Sequence, residues 1–461
     1  MNAETTRRIG LIGFDRRTCE AFETAGIEVA AHIYANPDNK NANYPGQDHL
    51  INFHNWKQYN FERATPSSKF GHVRETARQQ CFQDFIRCTD RWDWSRELVH
   101  NWNDYDHLFS LAFNHACNWL ETHRPDVVVY SNVPHQGVAI VNFHTARALG
   151  IKTRIFIQSP FGGRSWLVDH WNDLGSFASS VPGEPFEIDV SAPTAPPFYM
   201  NSVRGNANRR LRSLGHKLRA RTIVGLGLTG FTPETRRRNF QRNLGRWQRA
   251  VEDERYLSKA SRFFKDKPGN EPYVYFPLHL QPEMTTDILG GIFADQALAL
   301  EKLRLLMPDQ IAIYIKENPK QTGRLRSDTF MERLSSLKNV KLLSHEVPSF
   351  PLSENAKAVA TITGTVGWEA VRMGKPVIVF GNTFWNQLPG AFKYTDDLSW
   401  NAIDSFSFDA KSLGKSVNGL SKHAHHGISD RAYAVLQEGF NPEANAADLA
   451  NTLITKGWPD V

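Results

Sequence analysis

The segment TITGTVGWEAVRMG, residues 361–374, has the richest potential for chemistry. A short apolar run ends at Thr363, Gly364 permits close backbone approach, and helical spacing starts near Thr365 and continues through Val366 and Gly367. A helix that begins where a buried strand ends presents free backbone N–H groups and a positive dipole end to an anion. A nucleotide phosphate suits such a place. Thr363 and Thr365 add hydroxyl donors, and Glu369, one turn into the helix, can accept hydrogen bonds from ribose hydroxyls. An ordinary capped helix with a tight turn at Gly364 is the alternative.

A second cluster lies in PLHLQPEMTTD, where His279, Gln281 and Glu283 follow another apolar run. An imidazole and a carboxylate so placed can move a proton or hold sugar hydroxyls. His279 equally suits a hydrogen-bonded core position. In the first half, His135 in SNVPHQG and Gln158 each follow a strand-like run, and Asp169 and Asp173 in WLVDHWNDLG add carboxylates. These four are read as the acceptor side, with Gln158 binding and His135, Asp169 or Asp173 available as the base that an inverting attack requires. Asp173 also reads as a helix cap.

The elements that must hold these residues alternate. YVYFPLHL, IAIYIKEN, VKLLS, AKAVATITG and PVIVFG read as strands separated by helical patterns such as FADQALALEKLRLLM, which specifies a parallel, doubly wound sheet. Earlier, RRIGLIGFD, PDVVVYSN and IKTRIFIQS read as strands of a similar unit, with residues 50–122 largely helical. The expected fold is therefore α/β, with two Rossmann-like domains facing a central cleft where the strand ends carry ligands. The expected divisions are 1–182, an N-terminal acceptor domain; 183–265, a Pro-rich and then basic linker or insertion; 266–430, a nucleotide-sugar domain; and 431–461, C-terminal helices.

The run GTVGWEAVRMGKPVIVFG, with YVYFPLHLQPE and IKENPKQ, resembles the capsule polysaccharide biosynthesis family, which includes bacterial Kdo transferases of the GT-B fold. PDVVVYSNVPHQG and IFIQSPFGGRSWLVDHWNDLGSF are similar to segments of such surface-carbohydrate proteins. The resemblance spans 125–180 and 270–390. It implies transfer of a sugar from a nucleotide donor to a glycan or lipid-linked acceptor, without a bound metal or other cofactor, the donor being held by the C-terminal domain. It also implies that the His279–Glu283 element lines the donor site. Lys316 and Pro319 match a Lys-x-His-Pro-like element, which implies Lys316 as a phosphate partner and Asn318 as a donor contact; a surface lysine snorkelling at the sheet edge is the alternative for Lys316. Asn318 stands where the family pattern has histidine, so a CMP-Kdo-like donor and a UDP-sugar both stay open. A nucleotide-sugar epimerase of the same fold and a non-catalytic polysaccharide or nucleic-acid binder are the competing readings.

At 461 residues, with 41% hydrophobic and 22% charged residues, the chain has the length for two or three globular domains. No apolar run reaches membrane-spanning length, and a cytoplasmic protein is expected. The net charge of +6 is uneven. Between Arg204 and Arg249 there are 13 Lys or Arg and one acid, Glu234, interleaved with Leu211, Leu218, Ile223, Leu226 and Phe231. That pattern suits peripheral docking on an anionic inner-membrane surface. A solvated face is the alternative, and nucleic acid is disfavoured. Gly225, Gly227 and Gly230 match G-x-G-x-x-G without a strand before them, and no phosphate loop of the G-x-x-x-x-G-K-S/T type exists. Cys19, Cys81, Cys88 and Cys117 lack metal-ligand spacing and read as buried thiols, and His423, His425 and His426 read as an exposed loop.

Overall fold

The structure is a computed structural model that describes residues 7–35, 51–63, 71–92, 95–190, 232–323 and 325–458. Gly225, Gly227, Gly230 and the five apolar residues of the basic stretch lie outside these residues. Two compact units divide the chain. The first comprises Met1–Asp90, Val99–Glu187 and Asn418–Val461, and the second Arg91–Leu98 and Ile188–Val417. The sequence reading placed the last boundary at 430. The chain instead returns to the first unit at 418, because a short strand and a C-terminal helix complete that unit.

The first unit's strands are β1 (Arg8–Ile12), β2 (Glu28–Tyr34), β3 (Ile51–Asn52), β4 (Val127–Tyr130), β5 (Lys152–Gln158) and β6 (Arg164–Val168). They form a sheet in the order β3-β2-β1-β4-β5-β6, with β1 to β5 parallel and β6 antiparallel to β5. β4 is buried at all four residues, as expected for a central parallel strand covered on both faces. The helix Trp102–His123 starts at a capping box made by Asn101 and Asp104.

The second unit holds β7 (Tyr273–Pro277), β8 (Ala312–Lys316), β9 (Val340–Leu343), β10 (Ala358–Thr361), β11 (Val377–Val379) and β12 (Ala391–Lys393). All neighbouring pairs are parallel, in the order β12-β11-β10-β7-β8-β9. The chain thus builds outward from β7 in one direction, then crosses to β10 and builds in the other. Ligands of such sheets bind where the order reverses, outside the carboxyl ends of the strands. That place lies between β7 and β10. Helix Gln296–Leu306 packs Leu300 and Leu303 against Val274, Phe276 and Ile313 in this unit's core.

β13 (Ala424–His426) returns to pair antiparallel with β6. His425 is consequently buried in a strand, and His423 stacks on Phe177 and bonds Ser180. This corrects the expected exposed loop. Leu449, Ala450 and Leu453 of the last helical segment join Ile9, Leu11, Phe22 and Val127 in the first unit's core. The α/β class with two Rossmann-like units is what the chain has.

Candidate functional site

The turn after β10 is organised by a histidine from the neighbouring strand. His279 follows β7, and its Nε2 accepts from the Ile362 N–H at 3.1 Å and meets Thr361 Oγ1 at 2.9 Å. Thr361 Oγ1 in turn accepts from the Gly364 N–H at 3.0 Å. A nitrogen that accepts from a backbone N–H carries no proton, so the ring proton sits on Nδ1. Burial, with the charge of Arg326 second, pushes this imidazole down to about 3. The ring is a neutral hydrogen-bonding group at any ordinary pH.

Gly364 has an ordinary extended backbone, φ −70° and ψ 150°. Its glycine is required by proximity, because a Cβ there would lie 2.8 Å from His279 Cε1. Gly367 is likewise held against a ring, with a Cβ position 2.4 Å from Trp385. The helix Thr365–Arg372 starts at Gly364 without a side-chain cap. The N–H groups of Thr365 and Val366 therefore find no acceptor among the described residues. The Thr363 hydroxyl is already spent, donating to the Thr285 carbonyl at 2.9 Å.

Below this edge lies a buried polar network that the sequence reading missed. Gln281 Nε2 donates to Asp287 and the Ala294 carbonyl, while its Oε1 accepts from Gln296 and Arg326. With every hydrogen-bonding position of its amide used inside the protein, Gln281 fixes the loop and has nothing left for a ligand. Arg326 also donates to the His279 carbonyl and pairs with Glu317 at 2.9 Å, and Tyr256 donates to the same carboxylate at 2.8 Å. Glu283 stands at the N-terminal boundary of the short helix Met284–Asp287 without a side-chain capping bond, its own N–H donating to Asp287. Burial raises its carboxyl above the ordinary range, opposed by a hydrogen bond from Thr285 and the charges of Arg91 and Lys320, with Asp287 adding to the rise. A carboxyl whose neutral form is favoured in this way is suited to giving or taking a proton.

Two charged groups complete the edge. Lys316 ends β8 and is buried, its Nζ donating to Ser349 Oγ at 2.8 Å. Burial alone lowers its pKa, and among the described residues no carboxylate is a partner. Tyr275, fully buried in β7, shares Ser349 as a partner at 3.3 Å and feels the charge of Glu369. Glu369 is half-buried, finds no hydrogen bond among the described residues, and has its carboxyl raised by burial against the opposing charge of Arg372. Asn318 uses its Oδ1 to accept from the Lys320 N–H, which closes the turn after β8. His279, Lys316, Asn318, Glu283 and the Thr363–Glu369 segment thus share the carboxyl edge of one sheet.

The first unit does not gather its expected residues. His135 follows β4 at the carboxyl edge, beside the reversal between β1 and β4, and its Nδ1–H donates to the Val133 carbonyl at 2.7 Å, which makes Nε2 the basic nitrogen. Gln158 also ends at that edge, but its amide donates to the Ser159 and Arg164 carbonyls and accepts from the Ser429 and Asp430 N–H groups. It ties loops together. Asp169 and Asp173 lie toward the opposite edge, because β6 runs antiparallel: it pairs Val168 with Ile155, midway along β5, and continues toward the start of β5, where Thr153 donates to the Asp169 carbonyl. There Asp169 is bound by the buried Arg154, and Asp173 accepts from Ser179. Strand direction separates these two carboxylates from His135, and ion pairing and hydrogen bonding account for them.

The segment that builds this edge also has known relatives. Residues 242–400 match the family described as capsule polysaccharide biosynthesis protein. The capsule polysaccharide biosynthesis match takes in β7 to β12 with His279, Glu283, Lys316, Asn318 and the Thr363–Glu369 segment, so the resemblance carried by GTVGWEAVRMGKPVIVFG and YVYFPLHLQPE holds. It does not reach residues 125–180. No curated protein matches the sequence. Among solved structures, the chain is similar to a β-Kdo 2,7 transferase, KpsC, of Thermosulfurimonas dismutans, at 11% identity over 70% of this chain and 87% of that one, with a TM-score of 0.31. It is also similar to the UDP-GlcNAc 2-epimerase of Methanocaldococcus jannaschii, solved with UDP-GlcNAc and UDP, at 14% identity over 90% and 99% of the two chains, with a TM-score of 0.25. At TM-scores this low, neither likeness adds to what the strand order already says.

Proposed function

We propose that this chain is a glycosyltransferase of capsule or surface-polysaccharide synthesis, moving a sugar from a nucleotide donor, CMP-Kdo-like or a UDP-sugar, to a glycan or lipid-linked acceptor without a bound metal. The observation that carries the reading is Lys316. A buried ammonium held by a neutral hydroxyl, on the same sheet edge as the N–H groups of Thr365 and Val366, which have no acceptor among the described residues, suits an anion. In this reading both groups take the donor phosphate and stabilise the charge that develops on it as the glycosidic bond breaks. Glu369 receives the ribose hydroxyls, the neutral His279 and Asn318 hold the donor, and Glu283 handles a proton. His135, with a basic Nε2, is the proposed base for the acceptor hydroxyl. A thermal-shift series with CMP, UDP, GDP and their sugars tests the reading, since a ligand that binds only the native state raises its melting temperature. At least one pyrimidine nucleotide should raise it in the wild type and not in Lys316→Met. No shift with any nucleotide would overturn the reading.

The basic stretch is proposed to dock the enzyme on anionic lipid, where a lipid-linked acceptor resides. Each cation near such a surface contributes about 1 kcal/mol, and the attraction decays over a Debye length. Flotation with liposomes of graded phosphatidylglycerol content should therefore show binding that rises with anionic lipid, falls with salt, and is lost when Arg236, Arg237 and Arg238 are changed to Glu. Binding that ignores lipid charge would remove this role.

A further inference from the structure

A cation that no sequence motif marked stands on the other side of the same edge. Lys393 is the last residue of β12, in register with Val379 at the end of β11. Its Nζ donates to the Gly381 carbonyl and to Asn382 Oδ1, the latter at 3.0 Å, both in the loop that follows β11. These acceptors are neutral, and they occupy two of the three ammonium donors. Lys393 is half-buried, and burial pushes its amine down to about 8. Tying a loop to a strand needs a donor but no charge. Holding an ammonium partly out of water against neutral partners leaves its charge uncompensated among the described residues.

Position gives that charge a use. The strand order puts Lys393 two strands from β10 on one side and Lys316 two strands from it on the other. Strands lie about 4.8 Å apart, so each lysine-bearing strand is about 10 Å from the one that leads into the Gly364 turn. The Lys393 head sits on Gly381, and Gly381 abuts the turn, since a Cβ on it would lie 2.4 Å from Thr363 Cγ2. Lys316 is held by Ser349, in the helix that follows β9, on the far side. Two ammonium groups anchored on opposite sides of one turn suit a ligand with two separate oxyanion groups.

We propose that Lys393 is a second oxyanion-binding residue of this site, taking a phosphate or carboxylate oxygen of the ligand on the β11–β12 side of the Gly364 turn while Lys316 takes another on the β8–β9 side. The identity of the ligand rests on the nucleotide-sugar reading above; the anion contact does not. Isothermal titration of the full chain with inorganic pyrophosphate, CMP, UDP, UDP-glucose and UDP-glucuronate tests it, in the wild type, Lys393→Met and Lys393→Arg. The Met variant should bind at least one of these anions tenfold or more weakly at an unchanged melting temperature, and the Arg variant should recover most of the loss. Equal losses for pyrophosphate, UDP and UDP-glucose identify a phosphate oxygen, whereas a loss confined to UDP-glucuronate identifies a carboxylate on the sugar. Wild-type affinity in the Met variant for every probe the wild type binds overturns the assignment, as does a loss that Arg does not recover. Pyrophosphate binding that depends on Lys393, without any nucleotide binding, would sink the nucleotide reading and leave this one standing. Nucleotide binding lost in Lys316→Met but kept in Lys393→Met would do the reverse, and no binding of any probe to the wild type overturns both.

Discussion

Glu369 holds a carboxylate half out of water with no hydrogen bond among the described residues, and only the charge of Arg372 favours its ionised form. Ribose hydroxyls would supply the missing donors. Replacing Glu369 with Ala should therefore weaken CMP or UDP binding by about 1–3 kcal/mol, the range for losing hydrogen bonds to a charged acceptor, while stability holds or rises because a desolvated carboxylate is removed. Titration calorimetry paired with a urea melt separates the two effects, and unchanged affinity would remove the ribose role. Lys316 and His279 were legible in the sequence because each is a polar letter at or just beyond the end of an apolar run, and Glu369 because it falls one turn into the helix that follows such a run. The network beneath them was not. Gln296, Gln321 and Arg326 meet Gln281 from 15, 40 and 45 positions away, and each reads locally as an ordinary surface residue. Lys393 was invisible for a related reason, since AFK is too short and too mixed to announce a strand.

The helix Thr365–Arg372 owes its placement to two glycines that face rings. At Gly367, alanine would raise helix propensity by about 1 kcal/mol, but a methyl group driven into the buried Trp385 costs about 1–3 kcal/mol of overpacking. The packing term should win. Gly367→Ala is expected to lower the urea midpoint, and Trp385→Phe in the same chain should recover part of the loss; a more stable single variant would contradict this geometry. Strand identity in the second unit was legible because runs such as YVYF and IAIYI are apolar throughout. Strand direction in the first unit was not, since RSWLV reads alike in either sense. Its antiparallel course moved Asp169 and Asp173 to the wrong edge for the chemistry expected of them.

Among the described residues, five histidines are pushed far below the ordinary range, chiefly by burial. His32, His115 and His170 are pushed down to about 4, and His144 and His279 to about 3. Between those values and the ordinary 6.5, the unfolded chain takes up protons that the native chain refuses. Their contribution to stability is therefore fully present above about pH 6.5 and declines as pH falls, by at most about 1.4 kcal/mol per pH unit for each fully protected ring. Melting temperatures at pH 7.5, 6 and 5 should fall steeply at the acid end and change little at the neutral end. A flat profile would mean that these rings protonate in place.

The late return of β13 to β6 also sets an order on synthesis. As the polypeptide leaves the ribosome, β6 has an uncovered edge, and the core around Ile9 and Phe22 lacks Leu449, Ala450 and Leu453, until the entire second unit has been translated. The second unit, almost contiguous in sequence, can close while the first is still waiting. The nascent chain thus carries an open sheet edge for most of its translation, the kind of surface that invites pairing with a neighbouring chain. A stop codon near the end of the message would accordingly do its damage in the unit that was translated first.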